Sequence, residues 1–254
     1  MIPKKIAYLI NLDRRPDRWN EFVEKSSMLD IPILRFSAVE GLDLLENELR
    51  LPPPVAACWI SHQEVAKEFL RSKAEHCLVL EDDVDLDQDA ISRLENLWEK
   101  NLVDIDLLQI GFCVHHNRLA NRILYSIQYR TVNSLNRLRL LNLLVFRRIL
   151  KLFYGYEFQR ISCLAQPVAV MTFELGTHAY VMSRNFAYAV VLFNNPVYLP
   201  ADLAIMELVK TNNFRAYRLN TSLVSQNDSP STISNASSNT LEKEITLISQ
   251  SRKS

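Results

Sequence analysis

Glycine is scarce in this chain of 254 residues, which contains only Gly41, Gly111, Gly155 and Gly176. No two of them have the spacing of G-x-G-x-x-G or of G-x-x-x-x-G-K-[ST]. A glycine-rich phosphate cradle, of either the Rossmann or the P-loop type, is therefore excluded. If the protein binds a nucleotide, it must hold the phosphates in another way.

Cysteine pairs and long apolar runs are also missing. The four cysteines, Cys58, Cys77, Cys113 and Cys163, form no C-x-x-C pair, which argues against structural zinc and a disulfide framework. The longest uncharged stretch, 185–201, is interrupted by Asn and Pro and is too short to span a membrane. No secretory signal pattern is visible, so we expect reduced thiols and a cytoplasmic protein.

The net charge of zero conceals an uneven distribution. Residues 1–116 carry 13 basic and 22 acidic residues, a net charge of −9. Residues 117–160 carry nine basic residues against one acid, Glu157, a net charge of +8. An acidic N-terminal half followed by a basic block predicts different partners for the two parts.

Strand-like and helix-like patterns alternate along most of the chain. This alternation predicts an α/β domain over 1–224 with a mostly parallel central sheet and helices on both faces. We expect strands near 5–12, 33–39, 77–80, 106–111 and 177–182, and helices from Pro16 and over 56–71, 91–98, 186–193 and 203–209. From Ser225 the chain becomes polar, which predicts a mobile tail over 225–254 with a short helix near 241–248.

Residues 112–160 interrupt this alternation and are predicted to be a basic helical insertion. Within them, Ser134 to Phe153 has the periodicity of one amphipathic helix. The predicted apolar face consists of Leu135, Leu138, Leu141, Val145, Ile149 and Leu152, and the basic face of Arg137, Arg147, Arg148 and Lys151. Such a helix packs on a core or lies on an anionic membrane surface, and both alternatives remain open.

Three consecutive carboxylates, Glu81, Asp82 and Asp83, directly follow the predicted strand 77–80. At a strand end in an open α/β sheet they would point into the crevice where ligands bind. Hard divalent cations prefer such oxygen ligands, so a Mg²⁺ or Mn²⁺ site is one interpretation, and a solvated acidic turn is the other. An EF-hand loop is excluded, because Gln88 and Leu94 occupy the positions that require Gly and Glu.

Five segments in order resemble glycosyltransferase family 25, the lipooligosaccharide and procollagen galactosyltransferases. They are AYLINLDRRPDRW at 7–19, RFSAVEG at 35–41, ACWISH at 57–62, LVLEDDV at 78–84 and GTHAYVMSR at 176–184. The segments IDLLQIG at 105–111 and LPADLAI at 199–205 support them. Ala57 departs from the family, which usually has glycine there, and 112–160 matches no family motif.

The resemblance implies a GT-A-type nucleotide-diphospho-sugar transferase fold. It also implies an inverting transfer of a hexose, usually galactose from UDP-galactose, onto a lipooligosaccharide or other surface glycan, which would make the protein a β-galactosyltransferase. Glu81, Asp82 and Asp83 would stand at the metal motif of such folds, where Mn²⁺ or Mg²⁺ neutralises the diphosphate. We expect no nucleic-acid partner and a bacterial cytoplasmic location, peripheral on the inner membrane if 117–160 docks there.

Three sets of site residues follow from this placement. The donor-binding candidates are Asn11, Asp13, Arg14, Arg18, His62 and Glu81. The metal candidates are Asp82, Asp83 and His178. The candidates for the catalytic base are Asp202 and then Glu174.

Each set has a simpler structural interpretation. Asp13 could cap the helix that starts at Pro16, and His178 could be a hydrogen-bonded core residue. Asp202 could be the N-cap of a helix, whose dipole would lower the pKa of its carboxyl.

Two rival functions also fit parts of the sequence. Asp83, Asp85 and Asp87 form a D-x-D pattern after a strand, which weakly resembles the motif of phosphatases of the haloacid-dehalogenase type. The basic block alone would also suit a non-catalytic adaptor on a membrane surface, although the carboxylates at 81–83 argue against it.

Overall fold

A central sheet of eight strands organises the protein. The computed structural model describes residues 5–44, 50–113, 119–164, 166–170 and 172–226. The sheet has the order β2-β1-β3-β8-β5-β9-β7-β6, and β4 pairs with β10 in a separate ribbon. The strands are β1 (Lys5–Asn11), β2 (Ile33–Ser37), β3 (His76–Glu81), β4 (Val84–Asp85), β5 (Leu107–Gly111), β6 (Phe158–Gln159), β7 (Val168–Val170), β8 (Ala179–Ser183), β9 (Ala216–Leu219) and β10 (Ser225–Gln226).

The strand directions confirm the predicted α/β class with a mostly parallel sheet. Six of the eight strands run in one direction, and β8 and β7 run against them. The strand β8 lies between β3 and β5 and is antiparallel to both. The sequence pattern predicted the strand but not its antiparallel position between β3 and β5, because pairing direction depends on contacts between distant segments.

Seven helices accompany the sheet in the described part of the chain. They are α1 (Pro16–Lys25), α2 (Pro53–Arg71), α3 (Gln88–Trp98), α4 (Leu119–Arg137), α5 (Leu144–Tyr154), α6 (Arg184–Leu192) and α7 (Ala201–Thr211). Pro16 begins α1 and prolines occupy the first turn of α2, where the missing N–H costs nothing. Because proline suits this position, α2 starts at Pro53, three residues before the predicted start.

The two faces of the sheet bury separate cores. Along β3, Cys77 and Val79 face the side covered by α2, α6 and α7. Leu78 and Leu80 face the other side, together with the apolar faces of α1 and α3. This alternation follows from the two-residue period of a strand, and it confirms that helices cover both faces.

The insertion is not the single helix that its periodicity predicts. The described part of it contains α4 and α5, separated by a short 3₁₀ turn over Leu140–Asn142. Arg139 takes a left-handed conformation, with φ of 59°, and turns the chain there. The turn brings Leu141 against Val132 and Leu150 in a small core of its own. Burial of Leu141 explains why two helices replace one.

Some predicted segments lie at or beyond the limits of the described chain, and some short strands were not predicted. Ser225–Gln226 form β10, so the described part of the chain extends two residues into the predicted tail. The predicted helix near 241–248 lies outside the described residues. The short strands β4, β6, β7, β9 and β10 were not predicted, because two to four residues carry too little periodicity. Within the described segments, no helix combines the length and apolarity that a membrane crossing requires.

Asp106 joins three strands at the edge opposite the C-terminal end of β3. Its carboxylate accepts hydrogen bonds from Ser183 Oγ at 3.2 Å, from the Arg215 backbone N–H at 3.0 Å and from Arg215 Nε at 3.2 Å. Burial by itself raises the pKa of Asp106, but these bonds from Arg215 outweigh it and hold the pKa below its usual value. The charged form is therefore the one that the fold stabilises.

We expect Asp106→Asn to lower the free energy of unfolding at pH 7 by about 1–2 kcal/mol. The contribution of a carboxyl with a depressed pKa is present above its unfolded pKa and disappears as pH falls through its folded pKa. The difference between wild type and variant should therefore shrink below about pH 4. Urea unfolding of both proteins at pH 7 and below about pH 4 measures this difference in the free energy of unfolding.

Asp104→Asn is the matched control, because Asp104 contacts Arg215 at 2.9 Å but is 85% exposed. We expect a change within about 0.5 kcal/mol. An equal loss in the two variants, or a loss in Asp106→Asn that persists at low pH, would contradict the assignment.

Candidate active site

The three carboxylates lie where several strands end at one edge of the sheet. Ile10 of β1 pairs with Glu81 of β3, so Asn11 and Asp82 follow at neighbouring strand ends. The strand β8 starts at this edge, and the Glu81 N–H donates to the carbonyl of His178 at 2.9 Å. The carboxyl edge of an open α/β sheet is the usual place for a ligand site. Residues 81–83 thus lie at the edge of the sheet where the sequence predicts a ligand crevice.

Asp82 is held by groups from the first strand and helix. Arg18 donates to its Oδ1 at 2.8 Å, and Asn11 Nδ2 donates to its Oδ2 at 2.7 Å. Arg18 is only 7% exposed, so this is a buried ion pair. Both oxygens of Asp82 are thereby engaged by protein donors.

Glu81 is held by a different group of residues. Thr177 Oγ1 donates to Glu81 Oε1, and His62 Nε2 lies 3.3 Å from the same oxygen. The other ring nitrogen of His62 lies 2.9 Å from the Tyr180 hydroxyl. Burial alone would raise the pKa of Glu81, but the hydrogen bonds and charge from His62, together with Thr177, hold it below its usual value. Glu81 is therefore a carboxylate at neutral pH.

Asp83 has the least compensation of the three. Gln226 Nε2 donates to its Oδ2 at 2.6 Å. Its Oδ1 is buried and has no hydrogen-bond partner among the described residues. Burial, followed by the charge of Glu81, raises the pKa of Asp83 to about 7. The charge of Arg18 opposes this rise in pKa without cancelling it, so Asp83 is the least compensated of the three carboxylates.

A cleft with two halves opens at this edge. The first half has a volume of about 350 Å³, and Arg14, Arg18, His62 and residues 81–83 are in its lining. The second half has a volume of about 400 Å³, and His178, Asp202 and Gln226 are in its lining. Cys58 and Glu81 line both halves. Two ligands, one bound in each half, would therefore meet at the end of β3 that carries the carboxylates.

Asp202 lies in the first turn of α7, facing the second half of the cleft. Its Oδ1 accepts from the Leu203 N–H at 2.8 Å, and Pro200 occupies the N-cap position. Burial raises the pKa of Asp202, and the charge of Glu81 adds to this. The expectation that the helix dipole lowers this pKa is therefore wrong, because burial and a nearby carboxylate outweigh the dipole.

His178 is packed tightly between two glycines. A Cβ on Gly111 would lie 2.7 Å from the imidazole Cδ2, and a Cβ on Gly176 would lie 2.9 Å from Nδ1. Both ring nitrogens are buried without a well-aligned hydrogen bond, and the Val224 backbone is a polar group that approaches the ring. Burial lowers the pKa of His178, so the ring is neutral. These close approaches account for two of the chain's four glycines.

The predicted metal candidates Asp82, Asp83 and His178 do not form a compact cluster. Among the described residues, the set whose ligand atoms all lie within 4.8 Å of one another is Cys58, His62 and Glu81. Burial raises the pKa of Cys58 well above its usual value, so its sulfur is a neutral thiol rather than the thiolate that zinc prefers. Asp83, with its unsatisfied oxygen, is the group at the cleft that best fits a hard cation.

The structure divides the remaining candidates. Arg14, Arg18, His62 and Glu81 line the first half of the cleft, whereas Asn11 and Asp13 do not. Asp13 does not cap α1, whose N-cap is Arg15, and instead contacts Ser37 and Arg35 on β2.

Glu174 is absent from the linings of both halves. Its carboxylate lies 3.7 Å from the buried Arg218. Of the two candidates for the base, the structure therefore places only Asp202 at the cleft.

Several residues of the site were not singled out from the sequence. Cys58, Thr177 and Tyr180 belong to the motifs at 57–62 and 176–184, so the motif positions contained their signal. Gln226 had no such signal, because it acts on Asp83 through the unpredicted pairing of β10 with β4.

An α/β fold whose acidic strand end faces a two-part cleft is the architecture of GT-A-like sugar transferases. The sequence profile described as Glycosyltransferase family 25 (LPS biosynthesis protein) matches residues 4–205. The chain belongs to glycosyltransferase family 25.

One curated relative supports the same family. A protein of Aedes aegypti described as a Glycosyltransferase 25 family member is 32% identical over 95 residues, covering 30% of this chain and 16% of that protein. The alignment thus spans only a small part of the relative.

Proposed function

We propose that this protein transfers a hexose from a nucleotide sugar, with UDP-galactose the first choice, onto a surface glycan of the lipooligosaccharide type. The observation that carries the proposal is the cleft with two halves that share Glu81 and Cys58. A donor in the first half and an acceptor in the second would meet there. Family membership favours this activity over the phosphatase and adaptor alternatives.

The donor half has the charges that a nucleotide diphosphate needs. Arg14 and Arg18 face it, and the exposed ion pair of Arg14 with Glu40, at 3.0 Å, can exchange for phosphate. Arg18 remains tied to Asp82 and so orients that carboxylate. This arrangement replaces the glycine loop that the sequence lacks.

A divalent cation, Mn²⁺ or Mg²⁺, fits the cleft at Asp83. The fit rests on the buried Oδ1 of Asp83, which has no partner in the described chain, and on its raised pKa. Asp83 would hold the ion with help from Asp82, and the ion would supply positive charge to the departing diphosphate. Gln226 and Arg18 keep the two carboxylates in place.

Asp202 is the proposed base of an inverting transfer. The acceptor hydroxyl oxygen attacks the sugar C1 from the side opposite the diphosphate, and the C1–O bond to the diphosphate breaks. Asp202 takes the hydroxyl proton, and the nucleoside diphosphate leaves with the bonding electron pair. Burial of Asp202 in the second half, with its raised pKa, suits proton acceptance.

The metal proposal is tested with Asp83→Asn. We expect transfer to fall by on the order of 100-fold while thermal unfolding stays unchanged, because the diphosphate loses its counter-charge. EDTA should have the same effect on wild type, reversed by Mn²⁺. The assay measures donor-dependent release of UDP.

Asp85→Asn is the control for this test, because Asp85 is a partly exposed carboxylate that binds Lys25 and is absent from the cleft lining. It should keep wild-type activity. Full activity of Asp83→Asn, or of wild type in EDTA, would refute the metal site. Release of phosphate from phosphomonoesters without UDP release would support the phosphatase instead.

The assignment of the base is tested with Asp202→Asn. We expect kcat to fall by about 10²–10⁴-fold with little change in the donor KM, since a base acts in the transition state. Glu174→Gln should retain most of its turnover, because Glu174 pairs with Arg218 away from the cleft. The opposite result would make Glu174 the base, and two active variants would place the base elsewhere.

The outer face of α5 supports a membrane location for this activity. This outer face consists of Leu144, Val145, Arg148, Ile149, Lys151, Leu152 and Phe153, all of them exposed. Leu152 is 83% and Phe153 75% exposed, whereas Leu150 on the opposite side is buried. Large apolar side chains beside basic ones, on a helix already anchored by its other side, suit an anionic lipid surface. On this basis we propose that the enzyme docks on an anionic membrane surface.

Arg147 does not belong to this outer face. Its Nε donates to the Leu141 carbonyl at 2.7 Å and so holds the turn before α5. A test of membrane binding must therefore leave Arg147 unchanged.

Co-sedimentation with vesicles tests the outer face of α5. We expect wild type to bind vesicles containing phosphatidylglycerol at low salt, and less so at high salt, since each basic residue contributes about 1 kcal/mol. Replacing Arg148 and Lys151 with Gln, or Leu152 and Phe153 with Ser, should each weaken binding at least several-fold.

The matched control replaces Lys67 and Arg71 of α2 with Gln, which removes the same charge elsewhere. Absence of wild-type binding, or equal loss in this control, would remove the membrane proposal. The activity on a soluble acceptor should remain unchanged in all these variants.

A further inference from the structure

A second cavity lies away from the cleft, between α3 and α4. It has a volume of about 460 Å³ and shares no lining residue with either half of the cleft. The walls of this α3–α4 cavity include Arg93 and Asn96 of α3, Tyr129, Asn133 and Arg137 of α4, and four leucines. Its leucines belong to the core on the α1 and α3 side of the sheet, whereas α2, on the other side, forms a wall of the cleft.

The charged groups of this cavity are all positive. Arg93, Lys100 and Arg137 line it, and no aspartate or glutamate does so among the described residues. Arg93 pairs with Asp89, but in the described chain no acid forms an ion pair with Lys100 or Arg137. Uncompensated cations around a cavity favour an anionic ligand.

The uncharged side chains of the cavity indicate the kind of molecule to which the anionic group is attached. Four amides line the walls, and that of Gln166 is hydrogen-bonded to the Thr221 backbone through both its oxygen and its nitrogen, which leaves Asn96, Asn133 and Asn136 to meet a ligand. An amide both donates and accepts hydrogen bonds, as a sugar hydroxyl also does, so rows of amides match polyhydroxylated ligands. Tyr129 and the leucines add the apolar surface that a sugar ring covers with its C–H face.

We propose that the α3–α4 cavity is a second saccharide-binding site, which takes a sugar carrying a phosphate or a carboxylate. The amides bind the hydroxyls, and Lys100 and Arg137 bind the anionic group. The basic insertion thus supplies part of a binding site through α4. The proposal concerns binding alone and does not depend on the transferase activity.

Isothermal titration calorimetry with glucose 6-phosphate and with glucuronate tests the proposal. At least one of the two should bind saturably, and which of them does shows whether the anion is phosphate or carboxylate. Glucose and inorganic phosphate, which each lack one half of the ligand chemistry, should bind at least tenfold more weakly.

Variants locate the site. Replacing Lys100 and Arg137 with Gln, or Asn133 with Leu, should weaken binding at least tenfold in protein with unchanged thermal unfolding. The control replaces Arg71 and Arg130 with Gln, two exposed arginines outside the cavity, and should bind as wild type does.

Asp83→Asn at the cleft should also leave this binding intact. No saturable binding of either sugar overturns the proposal. Binding that survives the cavity variants but is lost in Asp83→Asn overturns it as well, since the sugar would then occupy the cleft. Failure of the transferase assay would leave the outcome of this titration unaffected.

Discussion

Three adjacent carboxylates at the buried end of β3 have to be compensated, and much of the surrounding structure serves this purpose. Because neighbouring negative charges raise one another's pKa in a low-dielectric site, each of the three needs its own donors. Asp82 accepts hydrogen bonds from Arg18 and Asn11. Glu81 accepts one from Thr177 and lies against the imidazole of His62. These partners come from β1, α1, α2 and the loop before β8, so the compensation ties the elements of the site together.

The compensation is incomplete at Asp83, and this incompleteness connects the fold with chemistry. Gln226 satisfies one oxygen, and the other faces no donor of the described chain. A site that holds two carboxylates firmly and leaves the third with a raised pKa is suited to a cation or a cationic ligand. Burial raises the pKa of Asp202 across the cleft and the charge of Glu81 adds to this, so the acidic strand end influences both halves.

The insertion adds two surfaces that the chemistry at β3 does not require. Its small core of Val132, Leu141, Leu150, Phe158 and Ala169 anchors α5 by one side only, which leaves large apolar side chains outside. Its first helix forms a wall of the basic, amide-lined cavity against α3. Positive charge on an otherwise acidic domain thus occurs as two separate features, a helix face and a cavity.

Local pattern determined the α/β class, the central strands and most of the helices around them, because burial on one or two faces imposes a period that short segments display. It also determined that Glu81, Asp82 and Asp83 follow a buried strand, and the ordered motifs indicated the family. Only the tertiary structure decided that β8 enters antiparallel between β3 and β5, that Arg139 divides the insertion, and that Gln226 meets Asp83. It likewise separated Asp202, at the cleft, from Glu174, beside Arg218. These outcomes depend on which distant groups satisfy a buried charge or fill a core, and such contacts leave no periodic trace in the chain.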